Sequence, residues 1–518
     1  MKRTLYCLTI FLLLARTAAL AQEAAAERIL AFTDKNCYLA GERLHVSLRL
    51  TTPDGAAGTQ SRVAYVELSD TAAMQAQAMV ALCDGAGWAS LPLPGTLHSG
   101  NYMLTAYTRN MRNAGWECFF RKTVSVVNAG HTSVRDNVRF FLPEVSSEAA
   151  LPSARYNAGE RVHVSLPADS AMTIQTLSVV RADLLTGEYA APQKVTLRGT
   201  EGHFLPEVEG HIVMARPAKQ AATDNSRLVM VGKGTAVFDG MPQAVGTWLY
   251  YTRDIYGAQP TLLNGYDRNG EAAPMDFLSP YAQAVPATLP ALQVWCSEEQ
   301  LRERSLCAQR EEMLVASMPI DTLPHTTDLL SATPDYMYDL DEYTKFSSVR
   351  EILIEFVRGV RRRNVEGRTQ LFVSSDEHKI HESWPAMVLL DGMPVHDIDA
   401  LLRYDAHLLK YVQVYSGVYS FGASVCQGVI SFISRRGRLS NFKLDDGSRL
   451  VTYTFPQNRP AFVLPEGEGV STVLWEPQVG TSSVEFPAPN AKGTYHIILQ
   501  GNRRDGTTFQ SVSRLEVE

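Results

Sequence analysis

The sequence predicts a mainly β, multidomain protein built from tandem β-sandwiches with one small α+β unit, and three observations predict it. First, "YLAGERLHVSL" at 38–48 returns as "YNAGERVHVSL" at 156–166, with only Leu39/Asn157 and Leu44/Val162 differing. Second, short runs in which apolar and polar residues alternate recur along most of the chain, separated by turn residues; period two is the signature of a strand with one buried face. Third, residues 347–437 mix a short helical pattern with strands and Gly-rich turns, which suits a compact α+β domain.

The chain has 518 residues and 45% hydrophobic content, enough for roughly three to five domains with their own cores. Residues 1–21 have a basic start (Lys2, Arg3), the apolar stretch "LYCLTIFLLLA" and a small-residue end in which Ala19 and Ala21 precede Gln22. That is the pattern of a secretory signal peptide, and no later segment is long and apolar enough to span a membrane as a helix. Cleavage removes Lys2, Arg3 and Arg16 and no acid, so the formal net charge moves from −7 to −10. Nucleic acid is excluded as a ligand by that balance. The six remaining cysteines, Cys37, Cys83, Cys118, Cys296, Cys307 and Cys426, are sparse and form no C-x-x-C pair. Buried free thiols are expected, with a Cys37 to Cys118 bridge as the alternative.

Residues 28–130 read as the first sandwich. After the Ala-Gly turn, Leu44, Val46, Leu48 and Leu50 point inward, and "RVAYVEL", "GWASLPL" and "SGNYMLTAYT" supply further strands. His45 and His163 fall on the polar face of the two repeat copies as solvated histidines. Residues 136–208 read as a second sandwich and 209–285 as a third β-module, in which "DRNGE" (267–271) is a hairpin turn rather than a calcium loop. Residues 286–345 change to a Glu-, Gln-, Arg- and Leu-rich composition that predicts a helix over 289–316, followed by an acidic linker or strap, "PDYMYDLDEY". Asp339, Asp341 and Glu342 in that tract satisfy no metal-site spacing. Residues 440–518 read as a C-terminal immunoglobulin-like sandwich, because "GTYHIILQG" at 493–501 echoes "GNYMLTAYT".

The stretch "FTDKNCYLAGERLHVSLRL" (32–50) resembles the opening of macroglobulin-like domains, with Asp34, Lys35, Tyr38, Gly41 and Glu42 carrying the match. The resemblance implies structural sandwiches that string into arms. It carries no catalytic residues, and the Cys-Gly-Glu-Gln thioester of protease-trapping members does not occur.

Residues 346–437 begin with the capping pair Ser348 and Glu351 ahead of an amphipathic helix. There follow "VLLDGMPV" (388–395), a helical run "IDALLRYDAHLLKYVQVYSG", within it "LKYVQVYSG" (409–417), and "YSFGASVCQGVISFISRRG" (419–437). This order resembles the plug domain of TonB-dependent outer-membrane receptors on Asp391, Gly392, Val412, Val414, Gly422, Gly428, Val429, Ile430 and Gly437. Cys426 and Gln427 depart from the family's small or Asn residues, which predicts altered packing of that loop. The 81 residues after Gly437 are too few for the receptor's barrel, whose strands alone need roughly 200 residues. The full expectation is therefore tandem immunoglobulin/macroglobulin-like β-sandwiches plus one α+β plug-like domain, an architecture similar to envelope proteins of the Bacteroidetes.

No Walker loop, G-x-S-x-G, H-E-x-x-H or dinucleotide fingerprint occurs. His378, His381 and Glu382 read as an exposed loop, and Asp397 beside His396 and Asp399 as a helix cap. Arg358, Arg361, Arg362 and Arg363 read as a solvated helix end and candidate partner-binding residues. No catalytic residue, metal or cofactor is assigned. The expected role is a non-enzymatic envelope binding or scaffold protein, exported to the periplasm or outer membrane, whose partners are other envelope proteins or an outer-membrane transport assembly. The alternative is an accessory of TonB-dependent uptake; a protease inhibitor or hydrolase ranks last.

Overall fold

The computed structural model describes residues 27–518 except 53–54, 131–137, 142–152, 167–171, 184, 219–223, 232–234, 244–245, 318–331, 375–383, 422–423, 438, 440, 461–469, 481 and 504–505. The fold is mainly β, and the chain divides into two compact units. One draws on Met1–His211, Pro280–Pro319 and Pro456–Glu518; the other on Ile212–Ser279 and Ile320–Phe455. The expected signal peptide lies outside the described residues.

In the first unit the repeat resolves into two copies of one topology. In the first copy Cys37–Leu39 runs parallel to Phe120–Val127, which pairs in turn with Gly100–Thr108, Val63–Ser69 and Met74–Ala81. In the second copy Ser153–Tyr156 runs parallel to Thr508–Val517, followed by Gly493–Arg503, Met172–Arg181 and Thr472–Glu476. The facing strands match down to register: Arg43 lies opposite Pro92, and Arg161 opposite Pro487. Even the tyrosine anchors repeat, with Tyr102 Oη donating to the His98 carbonyl (2.7 Å) and Tyr495 Oη to the Ala491 carbonyl (2.8 Å).

This corrects the expected boundaries at 136–208 and 440–518. Those segments are two halves of a single sandwich, opened at the hairpin that joins Val63–Ser69 to Met74–Ala81 in the first copy, with residues 182–471 inserted there. The alternation that signals a strand says nothing of its partner, so one interrupted sandwich reads as two complete ones. Each copy has its own apolar interior: Leu44, Val46, Leu48 and Leu50 are at most 1% exposed, and Val162, Leu177, Val179, Tyr495 and Leu515 pack together in the second.

The expected helix over 289–316 starts later, at Glu298–Ser317, because Leu292–Trp295 alternates and joins a sheet with Val138–Phe141 and Leu185–Thr186. Ser297 and Gln300 form the cap that sets the start: the Gln300 N–H donates to Ser297 Oγ (3.1 Å) and the Ser297 N–H to Gln300 Oε1 (2.8 Å).

The second unit joins the β-module begun at Ile212 to the α+β domain. Asn225–Val231, Thr235–Asp239 and Ala258–Tyr266 form a sheet that also takes in Ser448–Thr454, a strand assigned from sequence to the C-terminal sandwich. Asp267–Glu271 is a tight turn closed by the Gly270 N–H on the Asp267 carbonyl (2.9 Å). The α+β domain has a five-stranded sheet in the order Tyr336–Asp339, Leu409–Phe421, Ser424–Ser434, Met387–Leu390, Met393–Pro394. The acidic tract thus holds an edge strand rather than a free strap, since Tyr338 alternates inward and its neighbours outward. The helical run after Asp397 stops at Leu402; Asp405 caps a single 3₁₀ turn, and from Leu409 onward Val412 and Val414 favour the sheet.

Candidate functional site

The macroglobulin-like motif residues converge on a sealed ionic joint in the first unit. Tyr38, fully buried, donates from Oη to Asp34 Oδ1 at 2.6 Å, and the His45 N–H donates to the same oxygen at 3.1 Å. Thr472 Oγ1 donates to Asp34 Oδ2 at 2.7 Å, and Ser178 Oγ to the Asp34 carbonyl at 2.6 Å, so both sandwiches grip one aspartate. Lys35 Nζ donates to Ser471 Oγ (2.6 Å) and sits 3.1 Å from Glu42 Oε2. Arg304, on the Glu298–Ser317 helix, grips Glu42 through Nε (2.5 Å) and Nη2 (3.1 Å) and reaches Asp183 with Nη1 (2.8 Å). The same helix supplies Glu311, which accepts the Ser471 N–H at 2.6 Å.

Arg304 is 1% exposed, Glu42 2% and Lys35 5%, so these charges survive only because each faces its opposite. Burial pushes the Glu42 carboxyl up, but Arg304 and then Lys35 overcome it and hold the group at about 2. For Asp183 burial wins over Arg304 and the carboxyl titrates above its ordinary value. Burial also drives the Cys37 thiol to about 12, which makes it inert, and brings Lys122 down to about 8 against the pull of Asp34. The arrangement is a lock between two sandwiches and a helix. Lys35, Glu42, Arg304 and Asp183 each lie within ion-pair distance of an opposite charge.

Gly41 supplies the left-handed turn (φ +94°) that presents Glu42 to Arg304. The second copy keeps the turn at Gly159 but not the lock. Glu160 is exposed and bonds locally to Asn157, whose backbone N–H (2.8 Å) and side-chain Nδ2 (3.2 Å) both donate to its Oε2; Leu39 has no side-chain amide to make the second bond in the first copy. The histidines diverge too. His163 is solvent-exposed beside Glu485, whereas His45 is half-buried and its ring titrates below its ordinary value because burial disfavours its charge.

A second buried cluster escaped the sequence reading. Glu67 accepts from Tyr107 Oη (2.5 Å) and from the N–H groups of Gln283 (3.0 Å) and Ala284 (2.8 Å), while Glu207 accepts from Tyr65 Oη (2.8 Å) and lies 2.9 Å from His211 Nδ1. The available signal was an acid inside the apolar run "RVAYVEL", where every residue from Val63 to Ser69 is buried.

In the α+β domain the resemblance residues come together. Asp391 and Gly392 form a left-handed turn (φ +50° and +80°), and the Asp391 carboxylate accepts from the Ser434 N–H (2.7 Å), Ser434 Oγ (2.7 Å) and the Leu439 N–H (2.8 Å). That ties "VLLDGMPV" to the closing hairpin. Val412, Val414, Val429 and Ile430 are fully buried, with Val414 opposite Ile430 in register. Gly428 (φ +86°) lies where a Cβ would meet the Val373 Cβ at 2.5 Å. Gly437 also has positive φ (+69°), and Gly422 lies outside the described residues. Cys426 and Gln427, the departures from the family pattern, are both buried; Gln427 Nε2 donates to the Ser416 carbonyl at 2.7 Å, filling space within the sheet.

Asp339 and Asp341 hold cations of the protein itself. Lys410 Nζ lies 2.9 Å from Asp339 and 2.6 Å from Asp341, and Arg435 2.6 Å from Asp341, clamping the edge strand to the sheet. Among the described residues no three metal-binding side chains gather at one point. Asp397 caps its helix, accepting the Ala400 N–H at 2.8 Å, and His396 is solvent-exposed with its ring 4.5 Å from that of Tyr266. His378, His381 and Glu382 lie outside the described residues. A concavity beside Phe346, Phe356 and Arg435 encloses about 50 Å³, room for a water or two.

The arginine run is not a helix end. The helix stops at Glu355, and Val360–Val365 pairs with Arg368–Val373 in an isolated hairpin because Glu366 and Gly367 adopt a two-residue left-handed turn. Arg358, Arg361, Arg362 and Arg363 are all exposed, and Arg363 stacks on Phe372 at 4.9 Å.

No known family profile matches the chain, and no curated protein does. Among solved structures it is similar to the native α-2-macroglobulin of Escherichia coli at 10% identity, covering 95% of this chain and 22% of that one, with a TM-score of 0.17. It is similar to the E. coli adhesin FdeC at 14% identity over 51% of this chain and 63% of that one (TM-score 0.17). Dimeric latent PorU from Porphyromonas gingivalis aligns at 9% identity over 95% and 34%, with a TM-score of 0.16. The chain thus spans less than a quarter of the native α-2-macroglobulin, and similarities this low bear on no functional question.

Proposed function

We propose that this chain is a non-enzymatic cell-envelope scaffold of macroglobulin-like sandwiches, acting through protein–protein contacts at the outer membrane. One observation carries the reading. Asp34, Lys35, Tyr38 and Glu42, the residues that stand out most in sequence, are committed to a buried lock that fixes two sandwiches and a helix, which is what a stiff arm requires. The export signal read at residues 1–21 supports a periplasmic or outer-membrane site, as in the Bacteroidetes envelope proteins that the architecture resembles. Gentle extraction of the native envelope followed by co-purification is expected to recover the chain with partner proteins. Recovery only as a free monomer overturns the reading.

A second reading, an accessory of TonB-dependent uptake, draws on the Asp391 clasp, which unites the plug-like segments. Deleting the gene is then expected to abolish growth on one nutrient, and unchanged uptake across nutrients overturns it.

A further inference from the structure

We propose that the Val360–Val365 strand is a docking edge for an extended acidic segment of a partner protein, which adds as a third strand to the arginine hairpin. The inference deepens the scaffold reading and rests on it. Two features coincide on this strand. Its hairpin is two-stranded, so one edge pairs with no strand among the described residues. Its residues 361–363 are consecutive arginines, all exposed, in a chain whose formal net charge is −7.

Register decides which backbone groups face outward. A two-residue turn makes the closing pair, Val365 and Arg368, hydrogen-bonded, and bonded pairs alternate from there. The same phase places the Ser374 N–H on the Gly359 carbonyl at 2.8 Å. Arg361 and Arg363 therefore bond inward to Phe372 and Gln370, while Arg362 and Asn364 present N–H and C=O to the open edge.

The side chains add a charge code. Arg361 and Arg363 share one face, separated by about 7 Å at the rise of a strand, and Arg362 occupies the other. An incoming strand places its side chains directly opposite at about 5 Å, so carboxylates two residues apart meet Arg361 and Arg363 in turn. Phe372 already holds the Arg363 guanidinium over its ring. A lipid surface would use the charges but not the backbone edge, so the geometry favours a peptide.

Binding of the peptide Thr-Glu-Val-Glu-Val-Glu-Thr to the full chain is measured by calorimetry at low salt, with the Lys-for-Glu peptide and phosphatidylglycerol vesicles as comparisons. The Glu peptide is expected to bind and the Lys peptide not. The R361E/R363E pair is expected to weaken binding about tenfold. Asn364→Pro keeps every charge, is tolerated at an open edge and removes one outward donor; it is expected to weaken binding about fivefold. Peptide binding that ignores Asn364→Pro, or vesicle binding without peptide binding, overturns strand addition. Self-association of the R361E/R363E variant without any peptide binding by the parent protein also overturns it, and assigns the arginines to guarding the edge. If envelope partners still co-purify with the R361E/R363E variant, the strand addition fails while the scaffold reading stands.

Discussion

Arg304→Met removes the cation shared by Glu42 and Asp183 while keeping most of the side chain's volume, so the charge effect is tested apart from packing. In the native joint Glu42 is held from 4.5 down to about 2, which at 1.36 kcal/mol per pH unit corresponds to about 3 kcal/mol of stabilisation. Stripping one partner from a buried pair costs about 3–5 kcal/mol, the same range from an independent source. Glu42 has a depressed carboxyl, so its contribution is fully present above about pH 4.5 and is lost as the pH falls toward 2. In the variant Lys35 alone faces Glu42 at 3.1 Å, and burial raises both carboxyls. Their ionised forms then destabilise the fold at neutral pH, and acidification relieves that cost. Hydrogen exchange of the Glu298–Ser317 helix is the assay, since it reads local opening in a chain too large for one unfolding transition. Protection is expected to fall by about two orders of magnitude at pH 7, with the gap to the parent protein narrowing at pH 4. A change below threefold at pH 7, or a gap that widens on acidification, refutes the lock.

Asp391→Ala deletes an acceptor of three short hydrogen bonds and should destabilise the second unit by about 3 kcal/mol, with Asp391→Asn losing less; urea unfolding followed by domain-specific exchange reads both. Gly428→Ala forces a left-handed backbone on a Cβ that would meet Val373, and should cost about 2 kcal/mol or more in the same measurement. Tyr102→Phe and Tyr495→Phe delete equivalent hydroxyls in the two sandwich copies and should each cost about 1 kcal/mol; strongly unequal losses would argue against equivalent anchors.

The repeated eleven residues reveal how far sequence reaches. Alternation made Leu44 to Leu50 and Val162 to Val164 legible as inward faces, because a period of two depends only on neighbours in the chain. Strand partnership depends on residues hundreds of positions away, so nothing local to Tyr156 or Tyr495 shows that both belong to one sandwich interrupted by residues 182–471. The same limit hides the ionic joint. Asp34, Lys35 and Glu42 stand out as a motif, but the residues that give them meaning, Asp183, Arg304 and Ser471, carry no motif of their own and sit in three separate segments of the chain. Arg304 reads as one more charge on a polar helix. Only the apposition of the helix with Glu42 turns it from a solvated side chain into the largest fully buried one among the described residues. The arginine hairpin errs in the opposite direction. Ser348 caps a helix as its sequence pattern predicts, but the helix cannot run on through Gly359, whose φ of +76° ends it and turns the chain into a strand. A glycine followed by Val-Arg-Arg-Arg-Asn-Val and then Glu-Gly holds a β-turn signal as strong as the helical one before it. The hairpin sets Leu371 opposite Arg362 and Val373 opposite Val360, and both Leu371 and Val373 join the buried core of the domain.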